Sequence, residues 1–599
     1  MNLLNHNIEI LSKNPNHRIR EITEKDLCYK YIGRDANYEY FVDDSENVYR
    51  IEHSIDKEGL PNSFLRELYV IVGIYGVEEI QYLIQNANPY SIFIVIEPTL
   101  SFFLSALQYK DLSHINKSNV TIVVSPIHLL SNIIEDLLKD EKLFLAVNIK
   151  FYATYFYRTY DLGKFREIVK MFSDILKYRL MSSGNSIEDS LIGMKHDLIN
   201  LKYMINSRDV SKLKGAFQNV PAIVVSAGPS LDKNIKELKN AQGKCIMLAV
   251  DTIAEKLLKE GIVPDFICSI ERVDEVYNYF YKGKSFPEEV TLAGPPVLKP
   301  NIFEEFKGEM IIPLRKNVAQ YYWLNKFLGL NKDSFVSMGL SCAHVAFGLA
   351  AHFGASPIIL VGQDLAYAED GQKTHSSGTI YDKGYIVPRT KTFKVNGYYG
   401  GQVESSEIWN HFRKWFEQEI LRQNLFVINA TEGGSKIEHT LQMPLKETIE
   451  KYCRQEVNVY QKIISTPKYQ INIHKFVEQL KEELYSIQTL SDSVSSFLEK
   501  IRTLNLQSDM SKEDLKLQLK TIDEVNEIIW AIFKNSMLVH LFQSTLITTF
   551  WKMNKIERDT LNFDTVSKYL GIVLHFTQVV HKTLKIVLEI LSESIENIK

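Results

Sequence analysis

Hydrophobic positions along the 599-residue chain change their period twice, and each change predicts a different kind of structure. Tyr38–Val42 and Asn47–Ile51, both rich in aromatic and β-branched residues, flank Asp43-Asp44-Ser45-Glu46, the pattern of a β-hairpin. Leu68–Val72, Ile92–Ile96 and Val120–Val124 are short unbroken apolar runs that end in Gly73-Ile74-Tyr75-Gly76, Glu97-Pro98 and Ser125-Pro126. Such runs predict buried strands of a small Rossmann-like unit. Gly73 and Gly76 at a strand-to-helix turn read as tight packing rather than as a nucleotide loop. A helical connector from about Lys164 to Leu180 closes this stretch at Ser182-Ser183-Gly184.

The middle of the chain repeats the strand–helix alternation more strongly. Ile223–Val225 ends in Ser226-Ala227-Gly228-Pro229-Ser230-Leu231-Asp232, and Leu231, Ile235 and Leu238 share one face of the helix predicted next. Ala227 and Gly228 allow close approach of a ligand, Pro229 suits a first helical turn, and free amides at a helix start favour an anion. Lys244–Val250 ends at Asp251-Thr252, and Pro264–Ile270 carries Ser269 and Glu271 at its end. Polar residues at the ends of successive parallel strands mark the face where α/β folds bind ligands. Further strands are predicted over Val290–Gly294, Met310–Leu314 and Pro357–Val361, the last ending in Gly362-Gln363-Asp364-Leu365-Ala366-Tyr367. Ser337-Met338-Gly339-Leu340-Ser341 opens a small-residue helix, where capping alone accounts for its serines. Residues 368–401 read as one long polar, glycine-rich loop containing His375. A helix over about Ser406–Leu421 and a strand over Leu425–Ile428 then deliver Thr431-Glu432-Gly433-Gly434. The paired glycines permit a tight turn near a ligand, and Thr431 and Glu432 offer it hydrogen bonds.

Beyond Met443 the period becomes helical. Ile473, Phe476, Leu480, Leu484, Ile487 and Leu490 form one stripe, and Val566, Leu570, Val573, Phe576, Val580, Leu584 and Leu588 form another. The expected fold class is α/β in three units. These are an N-terminal α/β domain over 1–180, a central Rossmann-like domain over 181–442 and a C-terminal helical bundle over 443–599.

Composition narrows the function classes. A hydrophobic content of 45% with 24% charged residues is that of a globular protein, and a net charge of −4 argues against a general binder of nucleic acid or anionic membranes. No apolar run approaches the about 20 residues of a membrane span, and the first residues lack a signal pattern, so a cytoplasmic protein is expected. The five cysteines are dispersed and make neither a disulfide framework nor a zinc pattern. Gly283-Lys284-Ser285 fails as a phosphate loop, because Asn278 stands where the earlier glycine is required. No Asp-x-Asp element is present either, so no metal ligand is assigned.

The run Ser226-Ala227-Gly228-Pro229-Ser230-Leu231-Asp232 after a Pro-Ala-Ile-Val-Val strand resembles the signature of the motility accessory factors, or Maf proteins. These are bacterial flagellin glycosyltransferases with an MptE-like central domain. Gly184–Gly193 resembles that domain's entry segment and Asn429–Ile437 its exit segment. Gly-Pro-Ser-Leu also resembles the nucleotide turn of bacterial sialyltransferases that use CMP-sialic acid, where an Asn usually stands in place of Ala227. The Ser337–Ser341 turn and the Gly362-x-Asp364 end extend that likeness. It implies donor contacts at Ser337, Gly339, Ser341 and Gln363, and stabilisation of the departing phosphate by Tyr367.

The resemblance implies transfer of a nonulosonic acid, of pseudaminic or legionaminic type, from a CMP-activated donor to Ser or Thr of flagellin. No cofactor is required, and the helical domain is the expected flagellin contact. Transfer needs a base for the acceptor proton. The sialyltransferase His has no counterpart here, since its place reads Gln402-Val403-Glu404-Ser405. The catalytic candidates are therefore His375, with Glu404 as alternative, beside Tyr367 and Asp364. Two other readings stay open: a pterin pyrophosphokinase using ATP, and a non-catalytic flagellin-binding chaperone.

Overall fold

Short runs of fully buried β-branched residues build two separate parallel sheets. The structure is a computed structural model that describes residues 3–20, 27–52, 66–138, 140–182, 185–383, 391–556 and 561–598. The chain divides into two compact units, one of Met1–Ser186 with Leu490–Leu584 and one of Ile187–Thr489 with Lys585–Lys599.

In the first unit the strands run in the order Arg18–Ile19, Val120–Val124, Ile92–Glu97, Leu68–Val72, Ile149–Ala153, all parallel. Every residue of the three middle strands is buried, as a sheet covered on both faces requires. The expected hairpin forms as Tyr38–Asp43 against Val48–Glu52, with Tyr29–Arg34 added as a third antiparallel strand. Asp43 closes the turn by accepting from the amides of Ser45 and Asn47, both at 2.9 Å. A Cβ on Gly73 would stand 2.0 Å from Thr154 Oγ1, and one on Gly76 would stand 2.8 Å from Thr154 Cβ. Both glycines therefore serve close packing.

The second unit holds an eight-stranded sheet. In chain order its strands are β1 (Ala222–Val225), β2 (Ile246–Val250), β3 (Phe266–Cys268), β4 (Thr291–Ala293), β5 (Met310–Ile311), β6 (Ile358–Val361), β7 (Val427–Asn429) and β8 (Leu441–Gln442). They lie in the order β5-β4-β3-β2-β1-β6-β7-β8, with every pairing parallel. The chain winds outward from β1 to β5 and returns to the other side of β1 for β6. The switch point, where α/β folds leave a crevice, therefore lies between β1 and β6.

Three local expectations are corrected. The helix after β1 has one α-turn, Leu231–Asn234, and continues as a 3-10 helix over Ile235–Ala241, although Leu231, Ile235 and Leu238 are buried as expected. The run Met310–Leu314 is not one strand. Pro313 cannot donate to a ladder, so Met310–Ile311 stays in the large sheet and Leu314–Arg315 pairs with Phe335–Val336 in a separate two-stranded sheet. The stretch read as one long loop holds a strand, Thr392–Asn396, which pairs antiparallel with Gln402–Ser406 just beyond it. Residues 384–390 of that stretch lie outside the described residues.

After Gln442 the described residues contain helices and no further strand, the longest being Ile473–Arg502 and Phe563–Ile598. They do not group as one unit over 443–599: Leu490–Leu584 belongs with the N-terminal sheet, and the rest with the central one. Within the first unit this shows in Phe533, whose ring stacks 5.9 Å from that of Phe144. No helix among the described residues is long and apolar enough to cross a membrane.

Two helical glycines should respond oppositely to alanine. A Cβ on Gly348 in the helix Cys342–His352 would stand 1.9 Å from the Ser337 carbonyl oxygen, whereas one on Gly571 meets open space. Gly348→Ala should lose about 1–3 kcal/mol and Gly571→Ala should gain about 0.5–1 kcal/mol. The shift of the urea-unfolding midpoint reads both signs.

Candidate functional site

The carboxyl ends of β1, β6 and β7 are tied together by side chains at the switch point. Ser226 Oγ, just after β1, donates to Gln363 Oε1 at 2.6 Å, and the Gly228 amide donates to the Gly362 carbonyl at 2.8 Å. The Gln363 amide donates to Thr431 Oγ1 at 3.2 Å. Asn234 Nδ2 reaches Glu432 Oε1 at 2.9 Å. Asp364 is the hub: it accepts from Ser230 Oγ at 2.7 Å and from the Ser230 amide at 3.2 Å, and its own carbonyl accepts from the Ser435 amide at 2.7 Å. Burial pushes its carboxyl up to about 6, against the pull of these bonds.

This arrangement corrects the expectation of free amides awaiting a phosphate at the helix start. A carboxylate of the chain already holds the Ser230 amide, and the α-turn is too short to gather a macrodipole. The space left by the glycines is likewise taken. A Cβ on Gly228 would stand 2.0 Å from Asp364 Oδ1, one on Gly433 2.8 Å from Ser230 Cβ, and one on Gly434 2.3 Å from the Asp364 carbonyl oxygen. These glycines let the chain pass itself closely; Pro229 and Leu231 complete the same turn.

A second cluster lies at the ends of β2 and β3. Buried Asp251 accepts from Ser269 Oγ at 2.6 Å, from the Thr252 amide at 2.7 Å and from Thr252 Oγ1 at 3.2 Å. Burial raises its carboxyl pKa. The Cys342 thiol reaches Asp251 Oδ2 at 3.5 Å, and Tyr281 sits close enough for Asp251 to raise its buried phenol further. Glu271 keeps its side chain in contact with solvent at this end of the sheet. Cys342 and Tyr281 carry no sequence signal for this role: each lies in an apolar or aromatic run that reads as core.

The Ser337–Ser341 turn splits in function. Ser341 caps its helix, accepting from the His344 amide at 3.4 Å. Ser337 donates to Glu419 and accepts from Arg422 Nη2 at 2.9 Å, which fastens the turn to the helix Glu407–Gln423. Gly339 packs on His344, where a Cβ would stand 2.3 Å from Nδ1. That nitrogen accepts from the Leu340 amide at 3.0 Å, while Nε2 lies 3.2 Å from the Phe412 carbonyl and therefore carries the proton. Burial lowers the His344 pKa to about 3.

The segment after β6 brings His375 to the switch point, because the next amide, that of Ser376, donates to the Ala227 carbonyl at 2.8 Å. The His375 ring stacks on Tyr381 with centroids 3.6 Å apart, and Thr374 Oγ1 lies 2.9 Å from its Nδ1. Burial lowers its pKa to about 4, so it is neutral at pH 7. Asp232 anchors the same segment through Lys373 Nζ at 2.7 Å, Ser376 Oγ at 2.5 Å and Ser377 Oγ at 2.8 Å, and Lys256 Nζ of the helix Asp251–Lys259 bridges Asp232 at 2.6 Å to Ser376 Oγ at 2.7 Å. Burial opposes ionisation of Asp232, yet these donors hold its carboxyl well below the usual range. Glu404 accepts from Thr392 Oγ1 at 2.5 Å across the hairpin, and its carbonyl accepts from the Tyr367 amide at 2.9 Å. The Tyr367 ring meets Trp409 edge-on at 4.7 Å. Among the described residues no group of three or more His, Cys, Asp or Glu side chains is placed to hold a metal ion.

Residues 195–370, which include the switch point's first strands and β6, match the family described as 6-hydroxymethylpterin diphosphokinase MptE-like. Over its length the chain has the fold of the Maf glycosyltransferase from Magnetospirillum magneticum AMB-1. That likeness covers 100% of this chain and 98% of the other, with a TM-score of 0.63 and 14% identity. An MptE-like domain within a Maf glycosyltransferase fold is the combination that the Ser226–Asp232 motif implied. A stretch of 106 residues is also 26% identical to an uncharacterized protein of Treponema pallidum (strain Nichols). It covers 18% of this chain and 50% of that protein, so the chain spans about half the length of this relative.

Two measurements test the site's electrostatics. Asp232→Ala removes the shared acceptor of the 373–377 segment, and tryptic cleavage after Lys373 should quicken by about tenfold or more. His344 is neutral when folded and has an ordinary pKa when unfolded. Its contribution is therefore constant above about pH 6.5 and is lost on acidification, as the unfolded chain takes up the proton. The stability advantage of wild type over His344→Gln should fall by about 1.4 kcal/mol per pH unit between about pH 6 and 4, read from denaturation midpoints.

Proposed function

We propose that the chain is a glycosyltransferase that moves a nonulosonic acid from a CMP-activated donor to a Ser or Thr hydroxyl of flagellin. The observation that carries this reading is the full-length likeness in fold to a Maf glycosyltransferase. The motif resemblances to that family and to CMP-dependent sialyltransferases supply the finer terms, donor and acceptor. In this reading the donor lies across the ends of β1, β2 and β3. Ser226, Thr252, Ser269 and Glu271 offer it hydrogen bonds there, with Ser341, Gln363 and Thr431 at the margins. Asp364 acts as a positioning residue, since its carboxylate fixes Ser230 and the turn that faces the donor.

The acceptor hydroxyl must lose its proton as the sugar–phosphate bond breaks. His375 is the base proposed for it: the imidazole is neutral at pH 7 and its segment is pinned to the turn after β1. Glu404 is the alternative. Tyr367 is proposed to donate to the departing phosphate, which a single monophosphate leaving group permits without a metal. The C-terminal helices are the proposed flagellin contact.

A second reading comes from the description of the matched family, a pterin diphosphokinase, which would transfer diphosphate from ATP. Intact-mass analysis of flagellin co-expressed with this chain and a nonulosonic acid pathway separates the two. The expected result is the mass of one or more nonulosonic acids on flagellin and CMP binding that survives EDTA. A diphosphorylated pterin formed from ATP, with flagellin unchanged in mass, sinks the proposal. Flagellin held tightly without gaining mass points instead to a chaperone.

His375→Ala should slow transfer by about 10²–10⁴-fold with CMP affinity nearly intact. Should His375→Ala transfer at the wild-type rate while Glu404→Gln does not, the base is Glu404.

A further inference from the structure

We infer that Arg315 is the anchor of an oxyanion subsite, at which its guanidinium takes a carboxylate or phosphate oxygen of the ligand. Arg315 ends the strand Leu314–Arg315, and its Nη2 donates to the Gly339 carbonyl at 2.7 Å, inside the Ser337–Ser341 turn. Its Nε–H is buried and has no hydrogen-bond partner. No carboxylate stands within ion-pair distance of it among the described residues.

Four other arginines of this unit show what is missing; Arg454, which also has only a carbonyl partner, is exposed to solvent. Arg208 grips Glu309 with two bonds at 2.6 and 2.8 Å, Arg272 meets Asp189 at 3.4 Å, Arg413 meets Glu417 at 3.1 Å, and Arg422 pairs with Glu419. Arg315 is held by one neutral carbonyl. A guanidinium stays protonated in any protein environment, and a recessed cation without an opposite charge is costly. Glu271, beyond the end of β3, attracts it from outside ion-pair distance, while Arg272 repels it. The leftover donor and the uncompensated charge both call for an oxygen anion.

Position narrows the choice of anion. The Gly339 turn and Glu271 flank the Asp251–Ser269–Cys342 cluster at the sheet's ligand-binding face. A CMP-activated acidic sugar carries two candidate groups, the sugar carboxylate and the phosphate, and a planar guanidinium suits either. The identification of the ligand rests on the transfer reading given above; the subsite itself rests on the geometry of Arg315.

Phenylglyoxal modification of the intact wild-type chain, followed by peptide mapping, reads this guanidinium without any substitution. Acetate, inorganic phosphate and chloride are compared at matched ionic strength. Acetate or phosphate should slow the Arg315 adduct by about tenfold relative to chloride, which corresponds to about 1.4 kcal/mol of selective binding. Protection by acetate alone assigns the sugar carboxylate, and protection by phosphate alone assigns the nucleotide phosphate. Equal rates in all three salts overturn the subsite. So does the absence of any adduct, because a guanidinium closed to phenylglyoxal is closed to a sugar nucleotide.

Arg315→Gln should lose the thermal stabilisation that the protecting anion gives to wild type, while Lys316→Gln, at the exposed neighbour, keeps it. The adduct is blind to sugar transfer. Lost protection with transfer intact removes the subsite alone, and intact protection without transfer removes the proposed reaction alone.

Discussion

The bond between Asp364 and Ser230 holds the second unit's switch point in one shape. Strands β1 and β6 are neighbours in space but far apart in the chain, so nothing local fixes how their ends meet. The strands' own ladder and the Ser226–Gln363 and Gly228–Gly362 bonds align them, and Asp364 fastens the turn beyond by taking both the amide and the hydroxyl of Ser230. Gly228, Gly433 and Gly434 follow from it, because each lies where a side chain would collide with Asp364 or Ser230. The crevice is thus organised by a negative charge before any ligand arrives, at the expense of a carboxyl whose burial disfavours ionisation.

The first unit solves the same problem with the same chemistry. Its strand order also reverses, between Leu68–Val72 and Ile149–Ala153. There buried Glu97 accepts from the amides of Ile74 and Thr99, both at 2.9 Å, and from the Tyr157 hydroxyl at 2.5 Å. In both sheets a side-chain carboxylate satisfies backbone amides at the strand ends, the place where phosphates sit in nucleotide-binding members of such folds. Gly73 beside Thr154 and Gly228 beside Asp364 are matching close approaches. A glycine at a strand-to-helix turn is therefore explained in this protein by the chain's own packing.

The strands were legible because burial on both faces forces unbroken apolar runs, as in Leu68–Val72 and Ala222–Val225. What escaped depends on partners distant in sequence. The hairpin Thr392–Asn396 with Gln402–Ser406 has a half-exposed strand among polar loops, and its turn rests on Gly400 and Gly401, both at positive φ, in a run that reads as loop. The helix stripes after 443 were readable, but not which sheet each would cover, because a stripe specifies an apolar face and not its occupant. At the candidate site the strand-end serines and Asp364 stood out by position. Arg315 did not: it follows Pro313-Leu314 in a stretch without pattern, and its significance lies in a carboxylate that fails to appear.

Asp232 fastens the segment carrying His375 with ammonium and hydroxyl groups and little apolar burial. The Lys373 end of this fastening is partly open to solvent, with a third of the lysine side chain exposed. Ionic strength and temperature then act on it differently. Dissolved salt screens an exposed pair over a Debye length of about 10 Å at 0.1 M. Warming, by contrast, lowers the desolvation cost of ion pairs. The cover over the switch point is therefore built to persist through heating and to loosen in brine.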